Sequence, residues 1–138
     1  MKKYFFILLA AMLFGISNRV DAQTYNYRAF EFSIKYMNDD GSWTDWSAWQ
    51  KVNIKVKIDF DDDLIIVQSK RTQVYQVISG GESYTDSSGG QQVKFKVVDQ
   101  DEDYGTVRLR IEKNGNSQLY VDFSDVMWVY NVRKDNLQ

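Results

Sequence analysis

The chain has 138 residues, with 17 Lys and Arg against 19 Asp and Glu, and it contains no His, Cys or Pro. Without His and Cys there is no imidazole base, no thiol nucleophile, no disulfide and no zinc site built from these residues. Ser-His-Asp and Cys-His catalysis are therefore excluded. The length suffices for one domain, and 43% hydrophobic with 26% charged residues is ordinary for a folded soluble protein.

The first 22 residues have the pattern of a secretory signal peptide. Lys2 and Lys3 precede an apolar run from Tyr4 through Ile16, which at about 13 residues is too short to span a bilayer comfortably as a helix. Val20 and Ala22 place small residues three and one positions before the predicted cleavage. The alternative is an uncleaved anchor or a buried N-terminal helix. We therefore expect export to the periplasm or the extracellular space.

Cleavage leaves residues 23–138, predicted to form a single all-β domain without a membrane span. This part carries 14 Lys and Arg against 18 Asp and Glu, a net charge of −4. General nucleic-acid binders are usually basic, so we expect no nucleic-acid partner. Because no disulfide is available, the domain must be stabilised by packing.

Alternation of apolar and polar residues, the period of a half-buried strand, dominates the chain from Tyr25 onward. In the first run Phe30, Phe32, Ile34 and Tyr36 are predicted to share one face. The predicted strands are 30–36, 52–60, 64–67, 74–78, 93–97, 107–111, 119–123 and 126–132.

The connections contain turn residues and no helical stretch, and Asn114-Gly115 is the strongest hairpin signal. Short links predict an antiparallel meander of eight or nine strands, closed or partly closed into a calycin-like barrel. A two-layer β-sandwich is the alternative. The Gly- and Ser-rich segment Ser79–Gln91 is predicted to be a mobile surface loop.

Trp43, Trp46 and Trp49 form a W-x-x-W-x-x-W segment. Trp combines a large apolar face with one N–H donor, which suits stacking on sugars or closing an apolar pocket. In a regular strand Trp43 and Trp49 would share a face and Trp46 would point away. We expect this segment to lie near the barrel rim with Tyr84 of the Ser79–Gln91 loop, as a candidate ligand site. Alternatively, the tryptophans plug the barrel end or complete the core.

The Trp-rich segment resembles the tryptophan ladder of thrombospondin type 1 repeats, but the intervening arginines and the cysteines of that fold are missing. Gly41-Ser42-Trp43 resembles the G-x-W that opens the lipocalin barrel, although here it follows a strand instead of preceding one. The span from Trp43 to Val132 also resembles small secreted bacterial all-β proteins of unknown function. The thrombospondin resemblance is therefore discarded, the lipocalin resemblance implies a barrel, and the resemblance to small secreted proteins implies no particular activity.

Asp99, Asp101 and Asp103 alternate as acids do in calcium loops, and they are the candidate metal ligands. The twelfth position from Asp99, which should be a bidentate Glu, is Arg110. A second acidic turn, 59–63, could share an ion if both turns lay at one barrel end. The alternative is that both turns are simply solvated. No cofactor is predicted.

Two further hypotheses concern charged side chains. A carboxylate-dependent hydrolase needs two acids about 5–10 Å apart in a cleft, yet the predicted inner rows are apolar. Its other candidates, Glu31, Glu82 and Glu112, are more typical of solvated residues. The basic residues predicted to face outward are Lys55, Lys57, Lys94, Lys96, Arg108 and Arg110. They could form a stripe that binds an acidic glycan or partner, or they could simply be solvated surface residues.

The sequence therefore predicts an exported, non-catalytic β-barrel that binds a small apolar ligand, a glycan or a protein partner at one open end. The alternatives are the carboxylate-dependent hydrolase and a structural or inhibitory surface protein that acts on an envelope partner.

Overall fold

A computed structural model describes residues 24–114 and 116–135. The predicted signal peptide, residues 1–22, and the predicted mature start at Gln23 lie outside the described residues. Within the described ranges, no helix is long and apolar enough to cross a membrane.

The chain forms eight antiparallel strands in meander order, and β8 pairs with β1 to close a barrel. The predicted all-β barrel is confirmed with eight strands, and the sandwich alternative is wrong. The strands are β1 (Thr24–Tyr36), β2 (Gln50–Asp59), β3 (Leu64–Gln68), β4 (Gln73–Thr85), β5 (Gln91–Val98), β6 (Tyr104–Ile111), β7 (Ser117–Asp122) and β8 (Val126–Lys134).

One hydrophobic cluster fills the barrel and takes side chains from all eight strands. Inward positions alternate with outward ones, as the sequence period predicts: Val56 and Ile58 on β2 are buried, whereas Lys55 is exposed. An eight-stranded barrel has an interior that side chains can fill. Burial raises the pKa of the inward Tyr27, as expected for a phenol removed from water.

The predicted alternation in β1 is wrong at one point, because a β-bulge shifts the register between Ala29 and Glu31. Before the bulge, Tyr27 and Ala29 belong to the core. Phe30 does not share their face; instead, the Arg133 guanidinium lies 4.2 Å from its ring centroid. A bulge inserts one unpaired residue and re-aims the strand beyond it. Phe32 accordingly packs against the core.

The predicted loop Ser79–Gln91 is also wrong, since β4 continues through it to Thr85 and only residues 86–90 form the turn. Two register shifts, at Val77/Ser79 and Gly80/Glu82, bend the strand there. Gly80 has a φ of +106°, and a Cβ on it would lie 2.5 Å from the Lys94 carbonyl oxygen. Glycine is required at this bend because any side chain would collide with β5.

The barrel has two ends, which we name by their contents. The mouth end carries the connections 37–49, 69–72, 99–103 and 123–125. The Phe60 end carries the turns 60–63, 86–90 and 112–116. At the Phe60 end, the ring centroid of Phe60 lies 5.7 Å from that of Tyr25 and 6.0 Å from that of Phe95. These three rings cover the core at that end.

Candidate functional site: an apolar pocket at the barrel mouth

The mouth end is open on one side because β1 is longer than its pairing with β2. The last pair between these strands is Phe32 with Gln50, whereas β1 continues along β8 to the pair Tyr36 with Val126. Beyond Phe32 the irregular segment 37–49 replaces β2 beside β1. Inward-facing side chains near this gap lose the cover that a neighbouring strand would provide.

A pocket of about 580 Å³ lies at this gap and is mostly apolar. We call it the mouth pocket. Its apolar lining consists of Phe32, Ile34, Val52, Ile54, Trp128 and Tyr130, and its polar lining consists of Gln50, Ser69, Lys70 and Gln73. This volume and this combination of apolar walls with a few polar groups are those of small-molecule sites in proteins.

Gln73 connects Ser69 of the mouth pocket to two buried tyrosines. The Gln73 amide donates to the Ser69 hydroxyl at 3.1 Å and lies 3.5 Å from the Tyr130 hydroxyl. Its amide oxygen accepts a hydrogen bond from the Tyr75 hydroxyl. Burial raises the pKa of Tyr75 and of Tyr130, so both phenols stay protonated at neutral pH. The sequence reasoning found no polar break in an inner row and missed Gln73, which begins β4 one residue before the predicted strand.

Trp128 lies where the mouth pocket meets two other depressions at the same end. Its indole Nε1 is buried and makes no well-formed hydrogen bond with any described residue. It is nevertheless near enough to the Tyr130 hydroxyl to act against the rise in that phenol's pKa. A buried donor without a good acceptor costs free energy.

Aromatic rings pack against one another where the mouth pocket meets the core. The Phe123 ring stacks on Trp128 with centroids 5.9 Å apart, and its centroid lies 6.3 Å from that of Tyr75. The Phe32 and Tyr130 centroids are 5.4 Å apart. The pocket is therefore a surface depression above a filled barrel, with a rigid aromatic floor.

The Trp-rich segment, residues 43–49, neither plugs the barrel nor joins the core. It runs along the exposed edge of β1, where the Thr44 and Ser47 amides donate to the Tyr36 and Ile34 carbonyl oxygens. The segment is irregular, so the geometry of a regular strand does not apply to its tryptophans. Its side chains lie on the outer wall instead of in the mouth pocket.

The three tryptophans have different surroundings. The Lys35 ammonium lies 5.4 Å from the Trp43 ring centroid and 4.7 Å from that of Trp46. Trp46 and Trp49 line a smaller cleft on the outside of β1, β8 and β7. Tyr84 lies at the other end of β4, near the Phe60 end, where its hydroxyl donates to Gln92. The predicted grouping of Tyr84 with the tryptophans at one rim is therefore wrong.

The two acidic turns lie at opposite barrel ends, so the condition for a shared ion is not met. The Asp99 carboxylate accepts hydrogen bonds from the backbone amides of Asp101 and Asp103, both at 2.9 Å. Residues 24–114 and 116–135 contain no group of three acidic side chains arranged to hold a metal ion. Asp59 likewise accepts from the amide of Asp61, within its own turn.

The glutamates considered for hydrolysis lie on three different elements. Glu31 accepts a hydrogen bond from Asn131 on β8, and Glu112 pairs with Arg110 at 2.8 Å. Glu82 lies on β4 and lines a separate groove on the outer wall.

The predicted basic stripe is divided between two sides of the barrel. Lys55 and Lys57 are on β2, whereas the other four bases are on the adjacent strands β5 and β6. Arg108 pairs with Asp122 at 2.7 Å, and Arg110 pairs with Asp86 at 2.8 Å. Much of the positive charge on that side is thus neutralised.

The residues that line the mouth pocket are not those that the sequence singles out. The sequence places Trp128 and Tyr130 on the last strand and Val52 and Ile54 on the second, and nothing in it marks them as lining a pocket. Their alternation is identical to that of core residues. The detectable signal is the 13-residue connection between β1 and β2, the longest link in the meander, which lets β1 extend beyond its pairing with β2.

No protein-family model, curated protein or solved structure matches the chain significantly.

Proposed function

We propose that the protein is a non-catalytic barrel that binds a small, mainly apolar ligand in the mouth pocket. The observation that carries this proposal is the mouth pocket itself, an apolar depression with a volume of about 580 Å³. The short pairing between β1 and β2 leaves it uncovered. Leaving such a surface in water is unfavourable by roughly 25 cal/mol per Å² of apolar area, so a ligand of matching shape gains that free energy.

The polar groups define the ligand further. The Lys70 ammonium and the Gln50 amide line the mouth pocket and can donate to a ligand. Tyr130 lines it as well. The ligand class that fits has an apolar body and one hydrogen-bond acceptor, such as the oxygen of an alcohol, ketone or ester. A ligand without an acceptor would leave the Lys70 and Gln50 donors without a partner in the complex and should bind more weakly.

The direct test is calorimetric titration of the purified protein with medium-chain alkanols, the corresponding ketones and a hydrocarbon of equal length. We expect the oxygen-containing probes to bind and to change Trp128 fluorescence, read in a variant whose other three tryptophans are replaced by Phe. Absence of binding by every probe would overturn the proposal.

A matched pair of variants locates the site. Val52→Asp places a charge in the apolar wall, and the adjacent Asn53→Asp adds the same charge on the outer face, where Asn53 meets Arg28. We expect Val52→Asp to weaken binding by about tenfold or more, because a charge is costly against an apolar ligand. Asn53→Asp should bind like the wild type. Equal affinities for the two variants would exclude the mouth pocket.

A further inference from the structure

A second, smaller pocket lies on the outside of the barrel, on the wall formed by β1, β8 and β7, and its volume is about 260 Å³. We call it the outer cleft. It is lined by Ser33, Trp46, Ser47, Trp49, Gln118, Tyr120 and Val129. The barrel wall separates it from the mouth pocket, so it is independent of the function proposed above.

The floor of the outer cleft is sealed and rigid. Ser33 and Val129 point outward, yet they are only 1% and 3% exposed because the Trp-rich segment covers them. The Ser33 hydroxyl donates to the Ser47 carbonyl oxygen at 2.7 Å, and the Ile34 amide donates to the Ser47 hydroxyl at 3.0 Å. The segment is thus fixed to β1, and the cleft does not have to form when a ligand arrives.

The walls of the outer cleft are exposed aromatic rings. Trp46 is 39% and Trp49 is 47% exposed, although both are large apolar side chains. The Trp46 ring meets the Tyr120 ring edge to face at 6.4 Å. Two tryptophans held on one cleft and left half in water provide flat apolar faces to a ligand.

A chain of hydrogen-bonded polar side chains runs beside these rings. Tyr120 donates to Gln118 at 3.1 Å, Gln118 donates to Asn131 at 3.1 Å, and Asn131 donates to Glu31 at 2.9 Å. These bonds leave one N–H of Gln118 and one lone pair of the Tyr120 oxygen available for a ligand. The cleft therefore presents both a donor and an acceptor in fixed positions.

The charged side chains around the outer cleft already contact other side chains of the protein. Arg108 pairs with Asp122, and its guanidinium lies 4.2 Å from the Tyr120 ring centroid. The Lys35 ammonium lies over the rings of Trp43 and Trp46. A ligand that binds between the rings and the polar chain should accordingly be uncharged.

We propose that the outer cleft binds one ring of a neutral saccharide, stacked on Trp49 and Trp46 and hydrogen-bonded to Gln118 and Tyr120. A pyranose ring has an apolar C–H face and a periphery of hydroxyl groups that both donate and accept, which matches flat aromatic faces beside an amide and a phenol.

The test is saturation-transfer NMR on the purified protein with neutral oligosaccharides of glucose, mannose, xylose and N-acetylglucosamine. We expect saturation on ring protons of at least one sugar, and Trp49→Ala should weaken its binding by about tenfold. Trp49→Tyr, which keeps a flat ring, should recover part of the affinity. Gln118→Ala should also weaken binding.

Two controls make the result specific. Tyr104→Ala removes an aromatic side chain that is 67% exposed but lies outside the cleft, and it should bind the sugar like the wild type. Val52→Asp, which blocks the mouth pocket, should leave sugar binding unchanged. Failure of every oligosaccharide to bind, or wild-type affinity in both Trp49→Ala and Gln118→Ala, would overturn the proposal. Neither result would affect the mouth pocket.

Discussion

The two ends of the barrel are built from the same alternating strands but differ in how they are closed. At the Phe60 end, turns of a few residues bring β2 and β3 together, and the Tyr25, Phe60 and Phe95 rings cover the core. At the mouth end, the connection 37–49 lets β1 extend beyond the start of β2. Half-buried residues such as Ile54 therefore face a pocket. Connection length thus determines which end is a core and which can be a site.

The largest expected effect tests this difference by removing one apolar side chain from each end. Phe60→Ala should lower the free energy of unfolding by about 3–5 kcal/mol, because Phe60 is buried and packs against two rings. Ile54→Ala should cost only about 1–2 kcal/mol, because the side chain is already partly in water. Chemical denaturation measures both. Equal losses would mean that the mouth pocket is as well packed as the Phe60 end.

A second comparison uses glycines with positive φ near each end. Gly80→Ala should lower the free energy of unfolding by about 2–4 kcal/mol, since the added Cβ meets the Lys94 carbonyl oxygen and the backbone is unfavourable for an L-residue. Gly41→Ala, in the connection 37–49, has a similar φ of +87° with nothing within 4 Å of the added Cβ. It should cost only about 1 kcal/mol. Thermal unfolding of the two variants distinguishes the cost of the steric collision at Gly80 from the cost of backbone strain alone. Equal decreases in Tm would show that the β4 bend tolerates a side chain.

The smallest expected effect concerns the turn 86–90 at the Phe60 end. Hydrogen bonds from Arg110, then from Gln92 and Ser88, hold the pKa of Asp86 well below its ordinary value. A depressed pKa stabilises the folded state above the unfolded value of about 3.9, and this stabilisation is lost as the pH falls further. The stability difference between wild type and Asp86→Asn should therefore be present at neutral pH and shrink below about pH 4.

Denaturation of both proteins across this pH range measures that effect. In an Arg110→Gln background the pH-dependent difference should be much reduced, because the largest cause of the pKa shift is gone. A difference that persists unchanged in this background would assign the effect to the other partners of Asp86.

The fold was predictable from the sequence because both the strands and the short turns that join neighbouring strands have local sequence patterns. Alternation in runs such as 52–60 identified the strands, and short turns predicted neighbouring antiparallel pairs. The errors fell where the alternation was interrupted. The bulge near Phe30 and the bend at Gly80 each add unpaired residues to a strand. The sequence does not show at which position a strand takes up such an extra residue.

The candidate sites were less predictable, because a lining residue and a core residue have the same sequence pattern. By itself the sequence determined the strand period, the meander order and the absence of His and Cys chemistry. Only the tertiary structure decided that Trp128 lines a pocket while Trp46 and Trp49 lie on the outer wall. The physical reason is that burial depends on what covers a side chain. At the mouth end that cover depends on where β2 begins beside β1, a relation between residues distant along the chain.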